Sequence, residues 1–212
     1  MENATRLFYE KRGNTLVKNL RNRHFDAWYC ATKEEALDKA LELIPEGTVV
    51  GWGGATSAVQ IGLLEAVKAG NYQALDRDAT STPEERKAVM RKCFDADCFI
   101  TGANALSLDG QMVNIDGMGN RMGMIVYGPE NVIVVAGMNK VCDSLELAVE
   151  RARKVAAPMN QQRFMGNTPC SATGSCADCT CQSSICNQIL ITRNCRPAGR
   201  IKFILVGEEL GF

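Results

Sequence analysis

Apolar positions along the chain fall into two alternating rhythms. Residues 3–22 place Leu7, Phe8, Leu16, Val17 and Leu20 at loosely helical spacing among charges, which predicts an amphipathic helix with Gly13 as its weak point. "FDAWYC" then alternates as a short strand, and "TKEEALDKALELI" returns to helical spacing. Thr32, with Glu35 three residues on, predicts a reciprocal capping box at the start of that helix, and Pro45 with Gly47 stops it. "TVVGW" is a β-branched run, and "SAVQIGLLEAVKAG" reads as one helix ending at Gly70. "TPEERKAVMRKCFDA" is a helix led by Ser81, Thr82 and Pro83 in the cap and first-turn positions. "DCFITGANAL" and "GQMVNID" flank a hairpin turn at Asp109 and Gly110. "NVIVVAG" is the most β-like run of the chain, "SLELAVERARKVAA" is helical, and "RIKFILVGEELGF" carries a last buried strand.

Helices alternating with short buried strands predict an α/β domain: a mainly parallel sheet with helices on both faces. The pattern runs over residues 1–212 as a single domain, interrupted by a polar, small, cysteine-rich insertion at about 166–196 before the last strand of the same sheet. A chain of 212 residues buries roughly 70% of the surface its unfolded form exposes, so disulfides are not required for stability.

Charge narrows the partners. Lys plus Arg and Asp plus Glu both total 24, and no long run of one sign occurs, which argues against nucleic acid or an anionic membrane as partner. The nearest approach to a basic patch is Arg193, Arg196, Arg200 and Lys202, for which a solvated rim is the simpler reading. The N-terminal residues hold no apolar core of export-signal length and no later stretch is long enough to span a bilayer, so a cytoplasmic protein is expected. Ten cysteines in a reducing compartment read first as free thiols or metal ligands. A homodimer is expected only because two-fold pairing is the commonest assembly.

Two loops carry candidate chemistry. "GWGGATSAVQ" sets Gly51, Gly53 and Gly54 between a strand and a helix, with Thr56 and Ser57 at the helix start, an arrangement that suits a small anion as well as it suits a tight turn with a hydroxyl cap. It matches neither the dinucleotide fingerprint nor the P-loop, since the glycine spacing and the lysine are both missing. "NIDGMGNRMG" offers Asp116 as acid, base or metal ligand and Arg121 as a two-pronged carboxylate clamp, against a turn in which Asp116 and Asn120 hold only backbone. The single histidine, His24, follows the first helix and reads as a surface residue, which leaves catalysis by a Ser/His or Cys/His pair without support.

Five cysteines crowd into "CSATGSCADCTCQSSIC". Cys170, Cys176 and Cys179 read C-x5-C-x2-C, one residue away from a plant-type iron–sulfur spacing, with Cys186 following; only Cys176 and Cys179 form the short pair a zinc knuckle uses. Iron–sulfur, zinc and free or disulfide-forming thiols all remain open on spacing. Cys30, Cys93, Cys98 and Cys142 fall singly in helix or strand patterns and read as small buried hydrophobes.

"GWGGATSAVQIG", "TGANALSLDGQMVNIDGMGNR", "VYGPENVIVVAGMNKV" and the tail "CSATGSCADC…SSICN…GRIKFILVGEELGF" together resemble the lactate-utilization (LUD) domain family, in its short, cysteine-rich, single-domain subfamily. The resemblance covers most of residues 30–212. It implies a fold like that of ribose-phosphate isomerases and CoA-transferases, and a link to oxidation of lactate or a related 2-hydroxy acid alongside iron–sulfur redox partner proteins. It implies a pocket for a small anionic metabolite with Gly53, Gly54, Thr56 and Ser57 on one wall and Asn104, Asp116, Gly119, Asn120 and Arg121 on the other. No catalytic residue carries over. Resemblance and spacing together select Cys170, Cys176, Cys179 and Cys186 as ligands of an iron–sulfur cluster, or alternatively of zinc, with Cys181 and Cys195 as extras. The redox reading stands against a non-redox transferase or isomerase acting on a phosphorylated or CoA-linked substrate, and against a metabolite-sensing module without catalysis.

Overall fold

A computed structural model describes residues 2–164 and 166–212. Six strands form one parallel sheet: β1 (Asp26–Cys30), β2 (Val49–Gly53), β3 (Gln73–Leu75), β4 (Cys98–Gly102), β7 (Asn131–Gly137) and β10 (Ile201–Val206), in the order β1-β10-β7-β4-β2-β3. Its central strands are apolar on both sides, as a doubly covered sheet requires. Ile100, Ile133, Val135, Ile204 and Val206 face one core with α2 (Lys33–Glu42), α3 (Thr56–Gln60) and α4 (Leu63–Ala69). Val132, Val134, Phe203 and Leu205 face the other, with α1 (Glu2–Asn22) and part of a second sheet. α5 (Pro83–Lys92) and α6 (Asn120–Val126) close that side around Met90, Phe99 and Met124. The expected α/β class, with a mainly parallel sheet between helices, is the observed one.

The second sheet holds β5 (Ala105–Ser107), β6 (Met112–Asp116), β8 (Val141–Cys142) and β9 (Gln188–Thr192), in the order β8-β5-β6-β9. "DCFITGANAL" therefore divides: β4 stays in the main sheet, and β5 turns through Gly110, at φ +95°, into the antiparallel β6. α7 (Leu145–Arg151) runs on through residues 152–156 into α8 (Ala157–Gln161), and α9 (Pro169–Thr173) opens the cysteine-rich stretch. That stretch is not all loop, because β9 pairs along β6 from Asp116↔Gln188 to Met112↔Thr192. β10 follows it and lies between β1 and β7 in the main sheet.

Several local expectations change. Gly13 does not weaken α1; a Cβ there would lie 2.3 Å from the Tyr29 ring, so the glycine lets the helix approach β1. The capping box of α2 is only half formed, with Glu35 N–H donating to Thr32 Oγ1 at 3.3 Å while the Glu35 carboxylate accepts from Ala31 N–H. The complete box is on α5, between Thr82 and Glu85. "SAVQIGLLEAVKAG" is two helices, because Gly62 takes φ +79° and turns the chain between α3 and α4. "GNRMGMIV" is a helix, α6, where only loop was expected; its apolar residues Met122, Met124 and Ile125 are buried. Arg200 clamps the end of α6 by donating to the carbonyls of Met124, Ile125 and Pro129 at 2.7–2.9 Å, which gives that member of the basic cluster a structural role. No helix among the described residues is long and apolar enough to cross a membrane.

Candidate functional site

β2 and β4 are neighbours, yet the chain leaves them for opposite faces of the sheet: into α3 and α4 after β2, into the second sheet after β4. The carboxyl ends of such a strand pair leave a crevice, where open parallel sheets place ligands. Both glycine-bearing loops meet here. Gly102 N–H donates to Gly54 O at 3.2 Å, and Thr101 Oγ1 donates to Gly53 O at 2.8 Å. Gly54 sits at φ +60°, and a Cβ on it would come within 2.9 Å of Arg121 Cδ and 3.0 Å of Nη1. The glycine thus lays the loop directly against a guanidinium.

Arg121 is buried, 7% exposed, and so is Asp116 at 8%. Arg121 Nε donates to Asp116 Oδ1 at 2.8 Å, with Nη2 within 2.6 Å of the same oxygen, and Nη2 donates to Asn104 Oδ1 at 2.9 Å and Ile115 O at 2.7 Å. Asp116 Oδ2 accepts from Met122 N–H at 3.1 Å, and Asn104 Oδ1 accepts from Ile115 N–H at 2.9 Å. Gly119, at φ +73°, makes the turn that starts α6 and brings Arg121 back over β6. Most guanidinium donors are spent on protein acceptors, so Arg121 and Asp116 brace the crevice floor. Nη1 lies 3.5 Å from Gly102 O and, with Cδ and Nε, against Gly54. Of the remaining expected residues, Ser57 is buried in the crevice, while Thr56 and Asn120 are half-buried and, among the described residues, outside this hydrogen-bonded network.

Two side chains absent from the sequence expectations complete the crevice. Lys140, 4% exposed, lies just past β7; its Nζ donates to Ser57 Oγ at 3.1 Å and Ala103 O at 3.0 Å. Burial first, then the cations Arg151 and Arg121, bring its pKa down from 10.5 to about 7. Arg151, from α7, donates to Asn139 O at 3.0 Å and Asn104 O at 2.6 Å, and burial lowers its pKa. Among the described residues the crevice thus gathers the basic side chains Lys140, Arg151 and Arg121 around one carboxylate, Asp116. Residues 210–211 lie across it: Leu210 O accepts from Ser57 Oγ at 3.4 Å, Leu210 N–H donates to Asn139 Oδ1 at 3.1 Å, and Gly211 N–H donates to Gln60 Oε1 at 2.6 Å. The available signal for Lys140 was its place, a charged residue immediately after the most apolar strand.

The cysteine-rich segment packs beside β6. Cys170, Cys176, Cys179 and Cys186 line one cavity of about 100 Å³, with Ile115, Gln161, Thr168 and Ile185 among its other walls. The Cys186 thiol is pushed up, first by the protein packed around it and then by Cys170, Cys176 and Cys179; Cys181 is pushed up chiefly by its hydrogen bond with Cys179. Cys195 lies apart, buried in the core, where its sulfur accepts from Ile201 N–H. Gln161 is 1% exposed, and among the described residues its side-chain Nε2 has no acceptor. Among the described residues, no three His, Cys, Asp or Glu side chains are arranged to hold a metal ion. Ile115 joins the two places, its side chain in the cavity wall and its carbonyl on Arg121.

The molecule is thus an open parallel α/β protein with a cation-lined crevice at its switch point and a thiol-lined cavity alongside. The LUD domain profile matches residues 14–206, and the chain belongs to the LUD domain family. It is similar to the crystal structure of a DUF162 family protein from Deinococcus radiodurans, with a TM-score of 0.54 and 13% identity over 93% of this chain and 97% of that one. Ribose 5-phosphate isomerase A from Methanocaldococcus jannaschii overlaps 53% of this chain and 55% of its own, at 21% identity and a TM-score of 0.34. The enzyme from Neisseria gonorrhoeae overlaps 53% and 54%, at 20% identity and a TM-score of 0.35. No curated protein sequence matches the chain.

Proposed function

We propose that this LUD-domain protein binds a small anionic metabolite in the switch-point crevice and an iron–sulfur cluster in the neighbouring cavity, as an accessory or electron-transfer component in oxidation of a 2-hydroxy acid such as lactate. The observation that carries this reading is the cavity: four thiols line it together with Gln161, whose buried amide N–H donors meet no acceptor among the described residues. Cluster sulfurs accept such hydrogen bonds, and donors of this kind tune the cluster's potential. Cys170, Cys176, Cys179 and Cys186 would hold the cluster, Gln161 would donate to it, and the cluster would supply one-electron transfer. The anion reading draws its support from the crevice, where among the described residues Arg151, Arg121 and Lys140 stand near a single carboxylate, already bound to Arg121.

The test is protein purified without oxygen, assayed for iron, zinc and acid-labile sulfide, with visible spectra before and after dithionite. Matching iron and sulfide with a chromophore that bleaches on reduction and disappears in Cys176→Ala is the expected result. Colourless protein holding zinc or no metal sinks the electron-transfer reading.

A further inference from the structure

Lys140 is engaged in a way that suits an amine better than an ammonium ion. An ammonium has three N–H donors to satisfy, a neutral amine two and a lone pair. Nζ has two acceptors here, Ser57 Oγ and Ala103 O. The charged groups that act on it are Arg151 and Arg121, both cations, and among the described residues no carboxylate offsets them at Nζ. Directly above lies Gly211, at φ +61°, where a Cβ would come within 2.9 Å of both Nζ and Ser57 Oγ. Only a glycine fits there, and the strap backbone packs directly over the nitrogen as a cover.

We infer that Lys140 is a nucleophilic amine that condenses with the carbonyl of a small 2-oxo carboxylate, whose carboxylate is countered by Arg151 and Arg121. The inference rests on the reading that this crevice takes a small anion. In the step, the Nζ lone pair forms a bond to the carbonyl carbon, both amine protons leave with the carbonyl oxygen as water, and a C=N bond results. No oxidant or reductant is consumed. Ser57, which accepts from Nζ while donating to Leu210 O, is placed to relay a proton. The strap at residues 210–211 must lift for the acid to reach the nitrogen and can then close over it.

The test uses the full chain, pyruvate as probe, and borohydride to reduce any imine to a stable secondary amine, followed by peptide mass mapping. The expected result is one reduced adduct, on the Lys140 peptide, lost in Lys140→Arg and largely lost in Gly211→Ala, whose added methyl presses on Nζ while leaving the lysine in place. Adducts spread over exposed lysines such as Lys11 and Lys87, or unchanged trapping in Gly211→Ala, would overturn the proposal. A thermal-shift titration with pyruvate and no borohydride separates the two ideas. Stabilisation without a trapped adduct overturns the imine and leaves the anion crevice standing, whereas neither stabilisation nor adduct overturns both.

Discussion

Replacing Lys140 with methionine should change how stability depends on pH, by an amount the site itself fixes. The folded chain holds this lysine at about 7, against 10.5 for an ordinary lysine. Between those values the unfolded chain carries one more proton than the folded one, so stability rises with pH, at a slope approaching about 1.4 kcal/mol per pH unit. Below the folded value both states are protonated, and the whole cost of burying an ammonium beside two guanidinium groups is present. From about pH 6 to about pH 8.5 the wild type should therefore gain about 2 kcal/mol relative to Lys140→Met. The variant leaves Ala103 O and Ser57 Oγ short of a donor, but that loss is the same at every pH and cancels in the slope. Urea unfolding of both proteins across the window measures the difference directly, and titrating groups common to both, the raised thiols Cys98 and Cys30 among them, drop out. A difference that stays flat to within about 0.5 kcal/mol would refute the picture of a desolvated amine with no counter-charge.

Other expectations follow from the same contacts. Asp116→Asn leaves Arg121 buried without its carboxylate and should cost about 3–5 kcal/mol by chemical denaturation; a loss under about 1 kcal/mol would mean the pair is hydrated in solution. Gly54→Val drives a branched side chain into Arg121 at a positive φ and should abolish the thermal shift produced by small carboxylates, which a wild-type response would contradict. With the proposed cluster in the cavity, Gln161→Leu should keep iron but lower the midpoint potential, since cluster sulfur would lose a hydrogen-bond donor; an unchanged potential would place the amide away from the cluster. Gly13→Ala should destabilise the fold by about 1–3 kcal/mol in urea titrations, because its methyl meets the Tyr29 ring; a neutral effect would mean α1 can shift off β1.

How much of this was legible before the coordinates depended on whether the signal was local. The strands of the main sheet were readable because each is a short apolar run stopped by turn residues, and "NVIVVAG" is buried from Val132 through Gly137 as a central strand should be. α6 was not, because three glycines and an asparagine in "GMGNRMGMIV" lower its intrinsic helix preference. It forms because Met122, Met124 and Ile125 find a core, and because Asp116 takes the N–H of Met122. Gly13 misled for a similar reason: propensity counts the helix alone, whereas the residue answers to a ring on a strand sixteen positions away.

The crevice shows the same division. Its glycines, Asp116 and Arg121 were visible as loop chemistry, but sequence could not tell that Arg121 would spend its donors on Asp116, Asn104 and Ile115 and act as a brace. Lys140 and Arg151 were invisible because each is an ordinary charged residue until three distant segments, at Ser57, Ala103 and Leu210, enclose them. A lysine in that position violates the rule that buried charges are paired. The fold accepts the cost at one end of its sheet, in the crevice where open parallel sheets place ligands, and local rules most often give way at sites kept for function. The same argument reaches Gln161, which lines the thiol cavity and whose buried amide nitrogen finds no acceptor among the described residues. In both places the anomaly is a missing partner, and a partner of the right charge or acceptor strength, an anion at Lys140 and sulfur at Gln161, would remove it.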